Sequence, residues 1–353
     1  MAIASMRPSV SSLAPDRLLA ARVLREEARR EGFARAGFSR AEEPRGFDRF
    51  RDWLAAGRHA GMKYLEDTRE ARADPRRILA GARSVVSLSA FHSAAPFVAA
   101  DGSRVARYAR GADYHQTVRQ AAERAARAAG RRLPGDFRYR VCVDTTPVAE
   151  RSFAAASGLG WIGKNGCLID PERGSYLTLA EIVTDLDLPP DEPIAEQCGA
   201  CVRCLEACPT QAFVAPGLLD ASRCLAYWTI EHRGAFPDRV KEALGDRVFG
   251  CDVCQEACPW NTEAGTRQAA TALDAPPTRS DWLGLGPGAW RRRFGKSAYN
   301  RAGRRGLQRN AAASAGSCRD AALRPDLERV AVSAAEPGLA DAAAWALARL
   351  GGG

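Results

Sequence analysis

Residues 197–210 read QCGACVRCLEACPT, and residues 250–261 read GCDVCQEACPWN. No other feature constrains this chain as strongly. Cys198, Cys201, Cys204 and Cys208, followed by Pro209, match the C-x2-C-x2-C-x3-C-P spacing with which ferredoxin-type segments wrap a [4Fe-4S] cubane. Zinc is the competing reading, but tetrahedral zinc sites pair C-x2-C units rather than running four cysteines to a terminal Pro. Aligned on its Cys-Pro, the second run supplies Cys258, Cys254 and Cys251, with Val248 in the first place. Two cubanes need eight thiolates and the runs hold seven, so the eighth comes from Cys142, Cys167, Cys224 or Cys318. Cys224, between the runs in ASRCLAYWTIEHRG, is the natural donor. The expected sets are Cys198, Cys201, Cys204 and Cys258 for one cluster, and Cys208, Cys224, Cys251 and Cys254 for the other. The other three cysteines are expected to be small buried hydrophobes.

A chain of 353 residues, 46% of them hydrophobic, can bury more than one core. MAIASMRPSVSSLAP lacks a signal-peptide apolar region, and no stretch approaches the roughly eighteen apolar residues of a membrane span, so a cytoplasmic protein is expected. The formal charge is +9, much of it Arg on helical faces. Residues 291–309, RRRFGKSAYNRAGRRGLQR, differ in holding eight cations and no acid. Arg291, Arg292, Arg293, Lys296, Arg304 and Arg305 could grip a phosphate backbone while Phe294 and Tyr299 offer rings to bases.

Along the chain, residues 14–33 have helical spacing, entered through Pro15 and Asp16 and closed by Gly32. Strand-like runs occupy 84–92, 139–148 and 176–188, with the Arg/Ala-rich helical segment HQTVRQAAERAARAAGRRL between the first two. An α/β zone thus spans 14–193, the cysteine zone 194–263, and a helical zone 280–350. GTRQAATALDAPPTRSD (265–281) reads as an irregular connection, and the tail as two short amphipathic helices broken at 336–338.

The α/β zone shows neither a G-x-G-x-x-G turn nor a P-loop. GLGWIGKNG (158–166) is glycine-rich, which alone is weak evidence for phosphate binding. VCVDTTPV places Asp144 at the end of an apolar strand, where α/β proteins carry active groups; the same residue could instead cap the following helix, with Pro147 just inside it.

RYARGADYH (107–115), VDTTPVAERSFAAASGLGWIGKNGCLI (143–169), GSYLTLAEI (174–182) and the cysteine runs together resemble epoxyqueuosine reductases, over nearly the whole chain and in that family's order. The resemblance implies an α/β (α+β) cobalamin-binding domain, a ferredoxin-like double [4Fe-4S] domain, and a short C-terminal helical, HEAT-like region. It implies reduction of the epoxide of epoxyqueuosine at the tRNA wobble position, with electrons passing from two [4Fe-4S] clusters to base-off cobalamin. Asp144 matches the family's proton donor, and a pKa raised by desolvation is expected for that role. Tyr64, Arg107, Tyr108, Asp113, His115, Gly163, Lys164 and Asn165 fall in matching motifs and are expected around the corrin or substrate. DYHQTV is a near miss to the D-x-H-x-x-G cobalt-ligand signature, with Val118 in place of Gly, so His115 is read as a pocket residue. The expected partners are the tRNA anticodon stem-loop and a low-potential electron donor, with the chain a monomer. The tail after Ser317 is shorter than in fuller relatives, which places more of the tRNA contact on 291–309. A small-molecule corrinoid reductase, such as a dehalogenase, and a double-cubane electron carrier are the alternatives; the basic zone favours tRNA over the first, and the large α/β zone argues against the second.

Overall fold

The structure is a computed structural model, and it describes residues 16–264, 275–333 and 336–351. The first fifteen residues and the first ten of the 265–281 connection therefore lie outside the described residues. The N-terminal part is built on α1 (Arg17–Arg30), β1 (Arg35–Arg40), β2 (Ser84–Phe91), α2 (Tyr114–Arg132), β3 (Tyr139–Cys142), α3 (Glu150–Ala156) and β4 (Leu177–Thr184), with shorter helices, such as Phe47–Ala55, and short strands in the connections. Its sheet runs in the order β1–β2–β4–β3. Every pairing is antiparallel, so the parallel-sheet rule invoked for Asp144 does not apply.

Side-chain alternation along the two central strands covers both faces of this sheet. Val86, Leu88, Ala180 and Ile182 meet α1 and α2 through Val23, Leu24, Ala122 and Ala126. Val85, Val183 and Cys142 meet Phe153 of α3. The expected helix at 14–33 is α1, begun where the Asp16 side chain accepts the Leu18 amide. Strand β1 went unread because RAGFSR shows no clear apolar alternation; at Gly37 a Cβ would stand 2.1 Å from the Ser157 carbonyl at the end of α3, so a small residue is required there. Strand β3 stops earlier than expected, since Asp144 turns the chain at a φ of 51°.

The cysteine runs each fold into a helical turn, Arg203–Glu206 and Val253–Glu256, beside one another. The C-terminal part holds α4 (Arg279–Gly284), α5 (Pro287–Phe294), α6 (Gly303–Ser317), α7 (Arg324–Ser333) and α8 (Pro337–Gly351). Pro337 opens α8 rather than merely interrupting a helix. Buried α6 ties this part to the segment between the cysteine runs: Arg309 donates to the carbonyls of Trp228, His232 and Gly234, and Asn310 to those of Thr229 and Val248. Gly316 admits α8, since a Cβ there would lie 2.7 Å from Ala346 Cα. Among the described residues no helix is long and apolar enough to cross a membrane.

Candidate active site and cluster-binding region

Asp144 follows β3 but caps no helix: α3 begins at Glu150 behind Ala149, so the capping reading is overturned. Its left-handed backbone is uncommon for a residue with a side chain. The Asp144 amide donates to Glu150 Oε1. Asp144 Oδ2 accepts from the Tyr114 hydroxyl at 3.1 Å and lies 2.6 Å from His115 Nε2. His115 Nδ1 in turn lies 2.7 Å from Asp113 Oδ1, and that same oxygen accepts the His115 amide at the start of α2. One helix N-terminus thus fixes an Asp113–His115–Asp144 chain, with the Tyr114 ring stacked on the imidazole at 4.1 Å.

The charges of this chain run opposite to the sequence expectation. Burial pushes the Asp144 carboxyl up, but the His115 hydrogen bond and charge, the Tyr114 hydroxyl and the Arg301 charge together hold it below the ordinary value of 3.8. Burial lowers His115, and the two carboxylates flanking it more than compensate, holding it above 6.5. The proton therefore rests on the imidazole. Asp144 remains 54% exposed, so it faces open space while both its Tyr114 and His115 contacts fall on Oδ2. Both His115 nitrogens are engaged, which leaves no free imidazole nitrogen for a metal and suits a corrin held without a histidine ligand.

The cysteines fall into two groups. Cys198, Cys201, Cys204 and Cys258 line one cavity with Lys164, Asn165 and Trp260. In the second, Cys224 lies within electrostatic reach of Cys208, Cys251 of Cys224, and Cys254 of both Cys251 and Cys224. Among the described residues no three His, Cys, Asp or Glu converge closely enough for a single metal ion. Near the first cavity, the buried Asn165 Nδ2 has no well-formed acceptor among the described residues and the buried Trp161 Nε1 approaches the Cys198 sulfur, a fit to cluster sulfur.

Family comparisons agree with this arrangement. Residues 197–261 match a model described as a 4Fe-4S double cluster binding domain, and residues 72–145 one described as "Epoxyqueuosine reductase QueG, DUF1730". The epoxyqueuosine reductase of Gloeobacter violaceus is 40% identical over 285 residues, covering 77% of this chain and 88% of the relative. This chain belongs to the epoxyqueuosine reductase family. The Xanthomonas campestris enzyme is 45% identical over 218 residues, 60% of this chain, and there the match spans 61% of the relative's length. An epoxyqueuosine reductase crystallised with an epoxyqueuosine-modified tRNA-Tyr stem loop superposes with a TM-score of 0.84 at 29% identity, covering 95% of this chain and 91% of that one. The Bacillus subtilis reductase, with its catalytic aspartate loop swung out of the active site, gives 0.86 at 28% identity, covering 95% and 91%.

Within this family member the remaining expected site residues divide. Tyr64, 40% exposed, lies beneath the Arg301 guanidinium at 5.1 Å, close enough for its hydroxyl to feel the Asp144 charge. Tyr108 packs edge-on to Tyr114. Arg107 is not available to a ligand: buried, it bonds Asp252, Glu256 and the Ala94 carbonyl, and so joins the N-terminal part to the second cysteine run. Gly163, Lys164 and Asn165 stand with the cysteines rather than with Asp144. A Cβ at Gly163 would meet Ile169 at 2.5 Å, and Lys164 Nζ donates to the Gly199 carbonyl. Cys142 is buried as expected, Cys167 borders both cysteine groups, and Cys318 is exposed, contrary to expectation.

The basic stretch is less uniform than its sequence. Arg291, Arg292, Arg293, Lys296 and Arg305 are exposed; Arg304 is half-buried and donates to the Leu285 carbonyl and Gln308. Phe294 and Tyr299, expected to offer rings to bases, are 8% and 5% exposed and pack with Trp282 in the core. Arg301, not singled out from the sequence, pairs with Glu231 and connects this surface to Tyr64 and Asp144. No sequence signal marks Glu231 or Arg301, because they act through each other from positions 70 apart in the chain, and Glu150, although six residues from Asp144, reads only as an acid in the first turn of a helix.

Proposed function

We propose that this chain reduces epoxyqueuosine at the tRNA wobble position to queuosine, with the double-cluster region feeding a cobalamin site beside Asp144. The observation that carries this reading is the Asp113–His115–Asp144 chain, which stores a proton on an imidazole beside an exposed carboxylate in a protein that also carries eight suitably grouped cysteines. Converting an epoxide to an alkene consumes two electrons and two protons and releases water. When bound, the clusters and cobalamin supply the electrons. The chain's own residues handle the protons. Asp113 stabilises the His115 imidazolium until Nε2 delivers its proton to Asp144 Oδ2, and Asp144 presents that proton to the departing oxygen; the second proton needed to release water follows the same route after His115 is reprotonated from solvent. The Tyr114 hydroxyl, whose ionisation is opposed by burial and by Asp144, stays a donor and keeps Oδ2 oriented.

Residues 14–193 hold the corrin in this reading, with Tyr64, Tyr108 and Asp144 facing it and no histidine ligand. Residues 194–263 hold the clusters, Cys198, Cys201, Cys204 and Cys258 around one and Cys208, Cys224, Cys251 and Cys254 around the other. Residues 280–350 form a HEAT-like surface for the anticodon stem-loop, gripped by Arg291, Arg292, Arg293, Lys296, Arg304 and Arg305, with the wobble base splayed toward Arg301 and Tyr64. The protein works as a cytoplasmic monomer, and an external low-potential reductant recharges the clusters. The Bacillus subtilis reductase has its catalytic aspartate loop swung out of the active site, and in this reading the Asp144 loop can leave the site likewise. Nucleoside analysis of tRNA from cells lacking the protein tests the activity: epoxyqueuosine should accumulate and queuosine disappear, and unchanged queuosine would refute it.

A further inference from the structure

The loop from 143 to 149 carries the acid, and three side chains from elsewhere hold it. Arg72 donates to the Val148 carbonyl at 3.2 Å, Arg119 reaches the Thr146 hydroxyl at 3.4 Å, and Glu150 accepts the amide of Asp144 itself. Of the three, the Glu150 bond is the one made to the residue in the left-handed conformation, so it opposes the relaxation that strain favours.

Beneath Glu150 lies an unusual group. Glu181 sits in the middle of β4, opposite Cys142 on β3 and Ser87 on β2, and is 0% exposed. It shares a strand face with Val183, the face that α3 covers, and α3 begins with Glu150. Neither Glu181 oxygen has a well-formed hydrogen bond among the described residues, and Glu150 is the acid that approaches it. A carboxyl buried in a sheet is costly unless it is neutralised by a proton or hydrogen-bonded.

We propose that Glu150 is the latch of the Asp144 loop, braced from beneath by the buried carboxyl of Glu181, and that this latch decides whether the acid stands in the site. The inference rests on the reading of Asp144 as proton donor and makes Glu150 a positioning residue for it. Two facing carboxyls in a buried site cannot both ionise. Burial and the Glu150 charge push Glu181 well above 4.5, so Glu181 keeps a proton. Burial and the Asp144 charge raise Glu150 to about 7, against the Asp144 amide and the charges of Arg72 and Arg151. Cys142 lies within electrostatic reach of both acids, and Tyr114 within reach of Glu150. Protonated Glu181 can donate to Glu150, leaving Glu150 Oε1 as the acceptor for the loop. The side chains are matched in function: one carries the proton and the other the grip.

Substitutions separate this role from simple packing. In Glu150→Gln the amide oxygen still accepts, so loop and rate should stay within about threefold of wild type, a fraction of one hydrogen bond. Glu150→Ala removes the acceptor, and amide exchange across 143–149 should accelerate about ten- to a hundredfold. Single-turnover reduction of a modified stem-loop by pre-reduced holoenzyme should fall comparably, with stem-loop Kd and cobalamin occupancy unchanged. Glu181→Gln, permanently neutral and still a donor, should behave like wild type; Glu181→Leu should loosen the loop. If Glu150→Ala fails to fold, Glu150→Met, of similar volume and unable to accept, takes its place. Exchange within twofold of wild type in the Ala or Met variant overturns the latch, and so does an equal loss in Glu150→Gln and Glu150→Ala. The exchange measurement uses the protein without tRNA, so it stands or falls independently of the substrate.

Discussion

His115 Nε2 stands 2.6 Å from Asp144 Oδ2, bringing together residues 29 apart in the chain, and it is this contact that decides where the proton of the site resides. Asp144 can act as an acid only after receiving that proton. Asp144→Asn keeps the shape but can neither accept the proton from His115 nor pass it on. Turnover of a modified stem-loop should drop about a hundred- to ten-thousandfold, with stem-loop affinity and cobalamin occupancy retained. Rates within a few fold of wild type, measured at matched cobalamin content, would remove Asp144 from the reaction.

The same contact sets a pH dependence. Asp144 has a folded pKa below 3.8, so its contribution to stability is present above that value and disappears as pH falls through the folded pKa. His115 has a folded pKa above 6.5, so its contribution is complete below 6.5 and disappears as pH rises through the folded pKa. The pair is therefore fully formed between those limits. The chemical step should slow on the alkaline side at a pH above 6.5, as the stored proton is lost. His115→Gln should abolish that limb and lower the plateau by about a hundredfold. A pH–rate profile from single turnovers checks both; an unchanged alkaline limb in the variant would show that another group titrates there.

Cys224 and Cys167 compete for the eighth thiolate position, since both approach the second cysteine group. The grouping favours Cys224, which faces Cys208 and Cys251. Anaerobically reconstituted wild type should carry about eight irons, and Cys224→Ala should fall toward about four with altered cluster absorption. Cys167→Ala, Cys142→Ala and Cys318→Ala should keep the full complement. Iron loss in Cys167→Ala alone would transfer the ligand role to that residue.

What the sequence revealed and what it concealed follow from the range of the interactions involved. Cysteine spacing is a local signal, because a cubane is wrapped by consecutive turns, so the cluster region was legible without any tertiary knowledge. Helix α1 was legible through its apolar periodicity and Asp16, and α2 as an Arg/Ala-rich helical segment, whereas the capping of α2 by Asp113 emerges only from the structure. Asp144 was visible by resemblance, but its ionisation was not, since the partners that lower its pKa come from another helix and from Arg301. Glu181 reads as one polar residue in an apolar strand; only the sheet register shows that it is buried opposite Cys142. Arg309 belonged to a cationic run by sequence, yet its guanidinium is enclosed by three backbone carbonyls.

That division within the basic stretch gives the last prediction. Arg291, Arg292, Arg293 and Lys296 are exposed, whereas Arg309 is 2% exposed and bonded to the segment between the cysteine runs. Charge on the surface group can meet phosphate; charge on Arg309 cannot. Replacing Arg291, Arg292, Arg293 and Lys296 by Ala should weaken binding of an anticodon stem-loop and flatten the dependence of log affinity on log salt by about one unit for each phosphate left unneutralised. Thermal stability and iron content should hold, because these side chains support no buried carbonyl. Arg309→Ala should do the reverse. It strands the buried carbonyl of Trp228, which costs about 1–3 kcal/mol when unpaired, and the part-buried carbonyls of His232 and Gly234, so Tm should fall while the salt slope of the remaining folded protein stays the same. Affinity measured at several salt concentrations, alongside a thermal melt, reads both variants. An unchanged slope in the surface quadruple variant would move the tRNA to another face of the protein.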